Sequence, residues 1–344
     1  MSELQIKNLN KSFNSAKVLN NINFSAKNGE IVALLGESGC GKTTTLKLIA
    51  GLIEPDSGDV VLDNCSILKV PAEKRRTTIV FQDHLLFPHL NVEHNIGFGL
   101  KMAGVKKSIK ENMVTEIINM LKLGGMENRY PKELSGGQRQ RVALGRALAV
   151  EPKVLLLDEP FSSLDIMLRQ EMRELVLDIQ KKLKITTVLV THDKEEALMM
   201  SDKIAVMIKG TIAQFDTPEN IYEKPVNPLV SDFFGEKNYF ECIVDNGILK
   251  CDLGVFKVGR YFHGNGRLMI KPEDIEILSE TEEGSPEKIT GVVRKRRYLG
   301  DKVYYSVETE VKELKVISSN NLKFKSGDRV RLKIDFLKGI FYAN

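Results

Sequence analysis

EIVALLGESGCGKTTTLKLIAGL, Glu30 to Leu52, joins a continuous apolar run to a helical pattern through a turn that carries three glycines. An apolar run such as VALL suits a strand buried on both faces, hence a mainly parallel sheet covered by helices. The turn GESGCGKT, Gly36 to Thr43, fits G-x-x-x-x-G-K-[ST] and stands between strand and helix, the context that pattern requires. In that geometry backbone N–H groups and the helix N-terminus cradle phosphates, Lys42 neutralises the terminal ones and the Thr43 hydroxyl holds Mg2+. The stretch predicts an α/β chain that binds a nucleoside triphosphate.

Outward from it, the same alternation runs to about residue 235. PKVLLLDEP precedes DIMLRQEMRELVLDIQKKL, ITTVLVTHD precedes KEEALMMSD, and KIAVMI follows. After Asp165, Leu168, Met172, Leu175, Val176, Ile179 and Leu183 recur at helical spacing, which predicts an apolar core face. Asn91 to Lys122 reads as mostly helical, interrupted by GFGLKMAG and by the charged KKSIKEN, within a helical subdomain of about 88–150. Beyond PVNPLVSDFFGEKN the texture changes to short alternating strands such as YFECIV, KVYYSVET and LKVIS. In RVRLKIDF, Val330, Leu332, Ile334 and Phe336 alternate with Arg331, Lys333 and Asp335. Two domains are therefore expected, 1–235 and 236–344, the second a small all-β, OB-like barrel.

Composition narrows the class. The 344 residues are 42% hydrophobic and 28% charged, as in ordinary globular proteins, and the net charge of +4 is below that of a strongly basic nucleic-acid binder but excludes no partner class. No run approaches the roughly 20 apolar residues of a spanning helix, and the start MSELQIKNLNKSF lacks a signal-peptide layout, so a cytoplasmic location is expected. Cys40, Cys65, Cys242 and Cys251 show neither CxxC spacing nor scaffold density, so reduced thiols are expected.

PKVLLLDEP supplies acids for the phosphate loop. Asp158 falls at the carboxyl end of a buried strand, where it can reach a metal, and Glu159 can polarise an attacking water as general base. LSGGQRQRVALGRAL, Leu134 to Leu148, places a serine and two glycines before a helix. That pattern suits either an anion site at a bare helix N-terminus or a plain serine N-cap.

GESGCGKT, LSGGQ and LLLDEP together resemble the nucleotide-binding subunit of an ATP-binding cassette (ABC) transporter over residues 1 to about 235. The resemblance implies a P-loop NTPase fold with a helical subdomain, and ATP hydrolysis with Mg2+. ATP would be held by Gly36, Glu37, Ser38, Gly39, Cys40, Gly41, Lys42, Thr43 and Thr44, with Phe13 on adenine and Val18 beside it. Gln82 matches the Q-loop glutamine and would join Thr43 and Asp158 at the metal; His192 matches the switch histidine at the γ-phosphate; Asp165 matches the D-loop aspartate at the dimer seam. Ser135, Gly136, Gly137 and Gln138 would act in trans, on nucleotide held by a second copy. Glu159, His192, Lys42 and Gln82 would then be the catalytic set.

Some positions depart from the family pattern. Glu37 stands where proline is frequent, and Gly145 where alanine is usual. Cys40 lies by a helix N-terminus, where thiolate is favoured, which predicts alkylation that nucleotide blocks.

LMIKPEDIEI followed by GVVRKRRYLGDKVYYSVE resembles the TOBE domain of binding-protein-dependent importer ATPases for polyamines, iron, sulfate or sugars. The run Arg294 to Arg297 reads as a solvated charged face, with contact to an anion or a regulator as the alternative. The expected protein is a homodimeric, membrane-peripheral ATPase that energises solute import, working with permease subunits and, through them, an extracytoplasmic solute-binding protein. A soluble repair or translation ATPase and a ligand-sensing regulatory ATPase are the alternatives. Repair members carry long coiled coils and translation members duplicate the cassette, and neither feature occurs here.

Overall fold

In the computed structural model, which describes residues 3–83, 85–258, 263–280, 289–319 and 324–343, the chain divides into two compact units, Met1–Glu223 and Lys224–Asn344.

The first unit opens with a hairpin of β1 (Leu4–Phe13) and β2 (Ala16–Ala26), followed by β3 (Ile31–Gly36), α1 (Lys42–Ala50), β4 (Ser57–Leu62), β5 (Cys65–Ser66) and β6 (Thr77–Val80). β1, β2, β4 and β5 form an antiparallel sheet in the order β2-β1-β4-β5, which the sequence did not predict. Its signal is blurred because the β1–β2 register slips between Ile6 and Leu9 and again after it, and Asn8 and Asn21 adopt positive φ. Bulges of this kind break the period-two pattern that betrays a strand.

The helices α2 (Val92–Ile96), α3 (Phe98–Met102), α4 (Lys107–Met120) and α5 (Gly136–Leu148) make up the helical region. KKSIKEN does not interrupt it as expected: Lys107 onward is the first half of α4. That half meets water, and the charged residues are tolerated because Val114, Ile117 and Ile118 further along anchor the helix.

β7 (Val154–Asp158), α6 (Ile166–Leu183), β8 (Thr186–Thr191), α7 (Lys194–Met200), β9 (Lys203–Ile208), β10 (Thr211–Asp216) and α8 (Pro218–Glu223) complete the unit. The expected apolar face of α6 is buried at Met172, Leu175, Val176 and Ile179, whereas Leu183 at its end is exposed. The central sheet runs β10-β9-β3-β8-β7-β6, parallel except for the β9–β10 hairpin. Its register levels the strand ends: Leu35 lies opposite Thr191, Val190 opposite Asp158, and Leu157 opposite Val80. The residues that leave β3, β8, β7 and β6 therefore emerge along one edge.

The second unit begins with α9 (Pro228–Phe233) and continues through β11 (Asn238–Asp245), β12 (Ile248–Cys251), β13 (Gly254–Lys257), β14 (Gly264–Ile270), β15 (Ile275–Ser279), β16 (Ile289–Tyr298), β17 (Lys302–Thr309), β18 (Glu313–Ser319), β19 (Arg329–Ile334) and β20 (Ile340–Ala343). The strands form two antiparallel five-stranded sheets, β13-β12-β11-β14-β20 and β15-β19-β16-β17-β18, over one core that includes Phe240, Tyr305 and Phe336. The unit starts ahead of Gly235, where the composition changes, because α9 is tied to β11: the Tyr239 hydroxyl donates to Asp232 at 2.5 Å.

Candidate functional site

The phosphate loop is shaped by its own backbone. Gly41 caps α1 at φ 104° and Gly39 has φ 83°, conformations that glycine adopts without a Cβ penalty. A Cβ on Gly41 would also fall 2.4 Å from Leu19 Cδ2 and 3.1 Å from the Val18 carbonyl oxygen, so the glycine is what lets β2 approach the loop. The buried Lys42 ammonium donates to the carbonyls of Gly36 at 2.7 Å and Glu37 at 2.9 Å and lies folded within the loop. Glu37, Ser38 and Gly39 face outward, and Thr43 and Thr44 open α1 half-buried.

Cys40 turns inward rather than towards solvent at the helix N-terminus, contrary to expectation. Its side chain is 7% exposed and belongs to the core of the unit, and a Cβ on Gly36 would meet its sulfur at 2.6 Å. Burial pushes this thiol up, against the opposing effect of Lys42, so the expected thiolate at the helix N-terminus is not favoured.

At the neighbouring strand end the Thr43 hydroxyl donates to Asp158 Oδ1 at 3.0 Å. Burial raises the Asp158 carboxyl above its ordinary range, the adjacent Glu159 adding to the effect and the Thr43 hydrogen bond opposing it. A hydroxyl and a desolvated carboxylate held together form a hard-oxygen donor pair whose chemistry fits Mg2+. Glu159 adopts φ 46°, and its Oε2 lies 3.0 Å from His192 Nδ1, with His192 itself open to solvent. Gln82 is exposed just beyond β6, on the same edge of the sheet.

Phe13 projects at the tip of the β1–β2 hairpin, 46% exposed, with the Lys11 ammonium 5.4 Å from its ring centre. The tip is fastened by a residue that no motif in the sequence marks: Asp56 accepts from the Ser12 N–H at 2.6 Å and from Lys11 Nζ at 3.0 Å. Asp56 sits in PDSG, whose turn composition gives no hint of a partner 44 positions away.

Ser135, Gly136, Gly137 and Gln138 lie elsewhere on the unit, at the start of α5. Ser135 is an N-cap: its hydroxyl accepts from the Gln138 N–H at 3.3 Å while Gln138 Oε1 accepts from the Ser135 N–H at 2.9 Å, a reciprocal capping box. The two glycines differ in purpose. A Cβ on Gly137 would strike Leu168 of α6 at 2.6 Å, whereas one on Gly136 would meet only Leu164 at an ordinary 3.8 Å. Packing within the chain therefore explains Gly137 and leaves Gly136 unexplained. Asp165 caps α6 by accepting from the Leu168 N–H at 3.0 Å, so it belongs with this second group.

The profile of the ABC transporter family matches residues 19–162, and that of the TOBE domain matches residues 268–338. A spermidine/putrescine import ATP-binding protein of Acetivibrio thermocellus is 43% identical over 336 residues, 96% of this chain and 94% of that protein. Its namesake in Mesoplasma florum is 41% identical over 340 residues, 96% and 95% of the two chains. Among solved structures, CbiO1 from Clostridium perfringens, part of the ABC transporter complex CbiONQ, aligns with TM-score 0.60 and 32% identity over 63% of this chain and 89% of its own. An ATP-binding cassette solved as a dimer in a post-hydrolysis state with ADP and Pi aligns with TM-score 0.57 and 30% identity over 62% of this chain and 98% of its own.

Proposed function

Since the chain belongs to the ABC transporter family, as an import ATP-binding subunit that carries a TOBE domain, we propose that its ATPase cycle drives uptake of polyamines of the spermidine and putrescine class. The protein binds ATP, hydrolyses it to ADP and phosphate, and energises solute import through an ABC transporter.

The observation that carries the reading is the shared edge: Lys42, Thr43, Asp158, Glu159, His192 and Gln82 all leave the carboxyl ends of adjacent parallel strands. Loop N–H groups and Lys42 hold the phosphates, and Phe13 stacks on adenine beside Val18. Glu159 accepts the proton of the attacking water as its oxygen bonds to the γ-phosphorus and the bond to the bridging oxygen of ADP breaks. His192 donates to the γ-phosphate oxygens, where charge gathers in the transition state. Thr43, Asp158 and Gln82 would hold Mg2+, which supplies charge neutralisation of the phosphates.

Gly136 fits a site completed by a second copy. A helix start with an uncrowded glycine lets an anion approach the backbone closely. Ser135, Gly136, Gly137 and Gln138 of each subunit close on the nucleotide of the other, with Asp165 at the seam of the homodimer. The segment from Gln82 to Leu100, with the exposed Leu85, meets the permease subunits at the cytoplasmic face of the membrane. A solute-binding protein outside the membrane delivers the polyamine to those subunits. Among the described residues no helix is long and apolar enough to cross a membrane.

Light scattering with phosphate release tests the clamp. Glu159→Gln is expected to form an ATP-dependent dimer with turnover abolished; a variant that binds nucleotide yet stays monomeric would refute the homodimer. For the solute, uptake of labelled putrescine by cells lacking the chain is restored by wild type and not by Glu159→Gln. Uptake that is unaffected by loss of the chain rules polyamines out.

A further inference from the structure

Behind His192 lies a partly buried network of charges, with Arg173 and Glu196 at its buried centre, that the hydrolytic site does not use. His192 is open to solvent, but both neighbours are fixed from within. The Thr191 hydroxyl donates to Glu196 Oε2 at 2.6 Å and accepts from the Asp193 N–H at 2.9 Å. Arg173 of α6, 7% exposed, donates through Nη2 to Asp193 Oδ2 and to Glu196 Oε1, each at 3.0 Å. One turn earlier, Arg169 reaches the same Asp193 oxygen at 3.6 Å and donates to the Leu164 carbonyl at 3.2 Å.

Desolvated ion pairs are a poor source of stability compared with apolar packing, so such a network is better explained by the geometry it imposes. A single guanidinium nitrogen that donates to two carboxylates holds both within hydrogen-bond distance of one fixed point, and charge-assisted bonds of this kind are the strong ones. Here the acids hold the residues on either side of His192, Asp193 directly and Thr191 through its hydrogen bond to Glu196, and the bridge stands on the helix that Asp165 caps.

We propose that Arg173 is a positioning residue for His192: through Asp193 and Glu196 it sets the backbone on both sides of the histidine and so holds its ring beside Glu159. The inference rests on the reading of His192 as the γ-phosphate contact. It also ties the switch histidine to the same helix as Asp165, so that a shift of α6 reaches both.

The test uses the full chain with isotope-labelled imidazoles, of which there are five. His192 is assigned by its loss in His192→Gln. In Arg173→Lys, and independently in Glu196→Gln, the His192 resonances should shift while the other four stay in place. ATP turnover should drop roughly tenfold to hundredfold, with KM for ATP within about twofold of wild type. Unmoved His192 resonances, or shifted ones with unchanged turnover, overturn the proposal. So does failure of both variants to fold, which would make the network a structural brace. The underlying reading is checked separately: a non-hydrolysable ATP analogue must perturb His192 in wild type, and if it does not, that reading fails whatever the variants show.

Discussion

His192 Nδ1 lies 3.0 Å from Glu159 Oε2, and Glu159 holds a left-handed backbone with φ 46°. The carboxylate is thus aimed along the sheet edge by a conformation that a side chain of this size seldom adopts, and the Glu159 N–H is fixed by the Val190 carbonyl at 3.0 Å. Left-handed non-glycine residues of this kind cost on the order of 1 to 3 kcal/mol and cluster at functional sites.

Asparagine tolerates the left-handed region better than glutamate. Glu159→Asn should therefore leave the melting temperature unchanged or raised while hydrolysis drops about 100-fold or more. Calorimetry beside phosphate release checks it; a clear loss of stability would mean that the conformation is not strained.

Asp158 bears on pH. Its carboxyl is raised by burial, so the folded protein binds its proton more tightly than the unfolded chain does. Its contribution is fully present below the unfolded value of about 3.9 and is lost as pH rises through the raised folded value. At neutral pH, without nucleotide, Asp158→Asn should melt higher than wild type, and the gap should close as pH falls towards 4. Mg-ATP should reverse the order by stabilising wild type alone. Melting curves across pH, with and without nucleotide, decide the matter.

Gly145 lies where α5 packs against α4 and α2: a Cβ would meet Leu121 Cδ1 at 2.7 Å, and Ile117 and Ile96 each at 3.2 Å. Alanine gains about 1 kcal/mol of helix propensity, but overpacking costs about 1 to 3 kcal/mol. Gly145→Ala should lower stability by about 1 kcal/mol and leave KM for ATP unchanged. A denaturant midpoint that rises instead would show that Leu121 yields freely.

Thiol labelling separates the cysteines. Cys65 is exposed, whereas burial pushes up the thiols of Cys40, Cys242 and Cys251. At neutral pH Cys65 should be alkylated at least about tenfold faster than Cys40, with nucleotide changing the Cys65 rate little. Peptide mass spectrometry at timed intervals reads this; Cys40 reacting first would restore the thiolate expectation.

Asp56 fastens the hairpin tip beneath Phe13 through Lys11 and Ser12, and these hydrogen bonds, that from Lys11 foremost, hold its carboxyl below the usual range. Its contribution is present above the unfolded value and is lost as pH falls through the depressed folded one. Asp56→Ala should raise KM for ATP several-fold and leave kcat nearly unchanged. Equal losses in both constants would place Asp56 in the chemistry instead.

The phosphate loop, Asp158, Glu159 and the parallel core were legible along the chain, because each depends on short-range chemistry: glycines before a lysine, acids at the end of an apolar run, helical spacing after Asp165; His192 was marked only by the resemblance to the ABC family. The antiparallel sheet of β1, β2, β4 and β5 was not, since its bulges erase the alternation that marks a strand. Only the tertiary structure decided that Cys40 turns into the core, that Gly137 serves packing against Leu168 while Gly136 does not, and that Asp56 and Arg173 fasten segments distant in sequence. Those outcomes rest on which side chains meet after the strands take their register and α5 and α6 dock. Local spacing records what a segment can form by itself; burial and long-range pairing record what the rest of the chain brings against it.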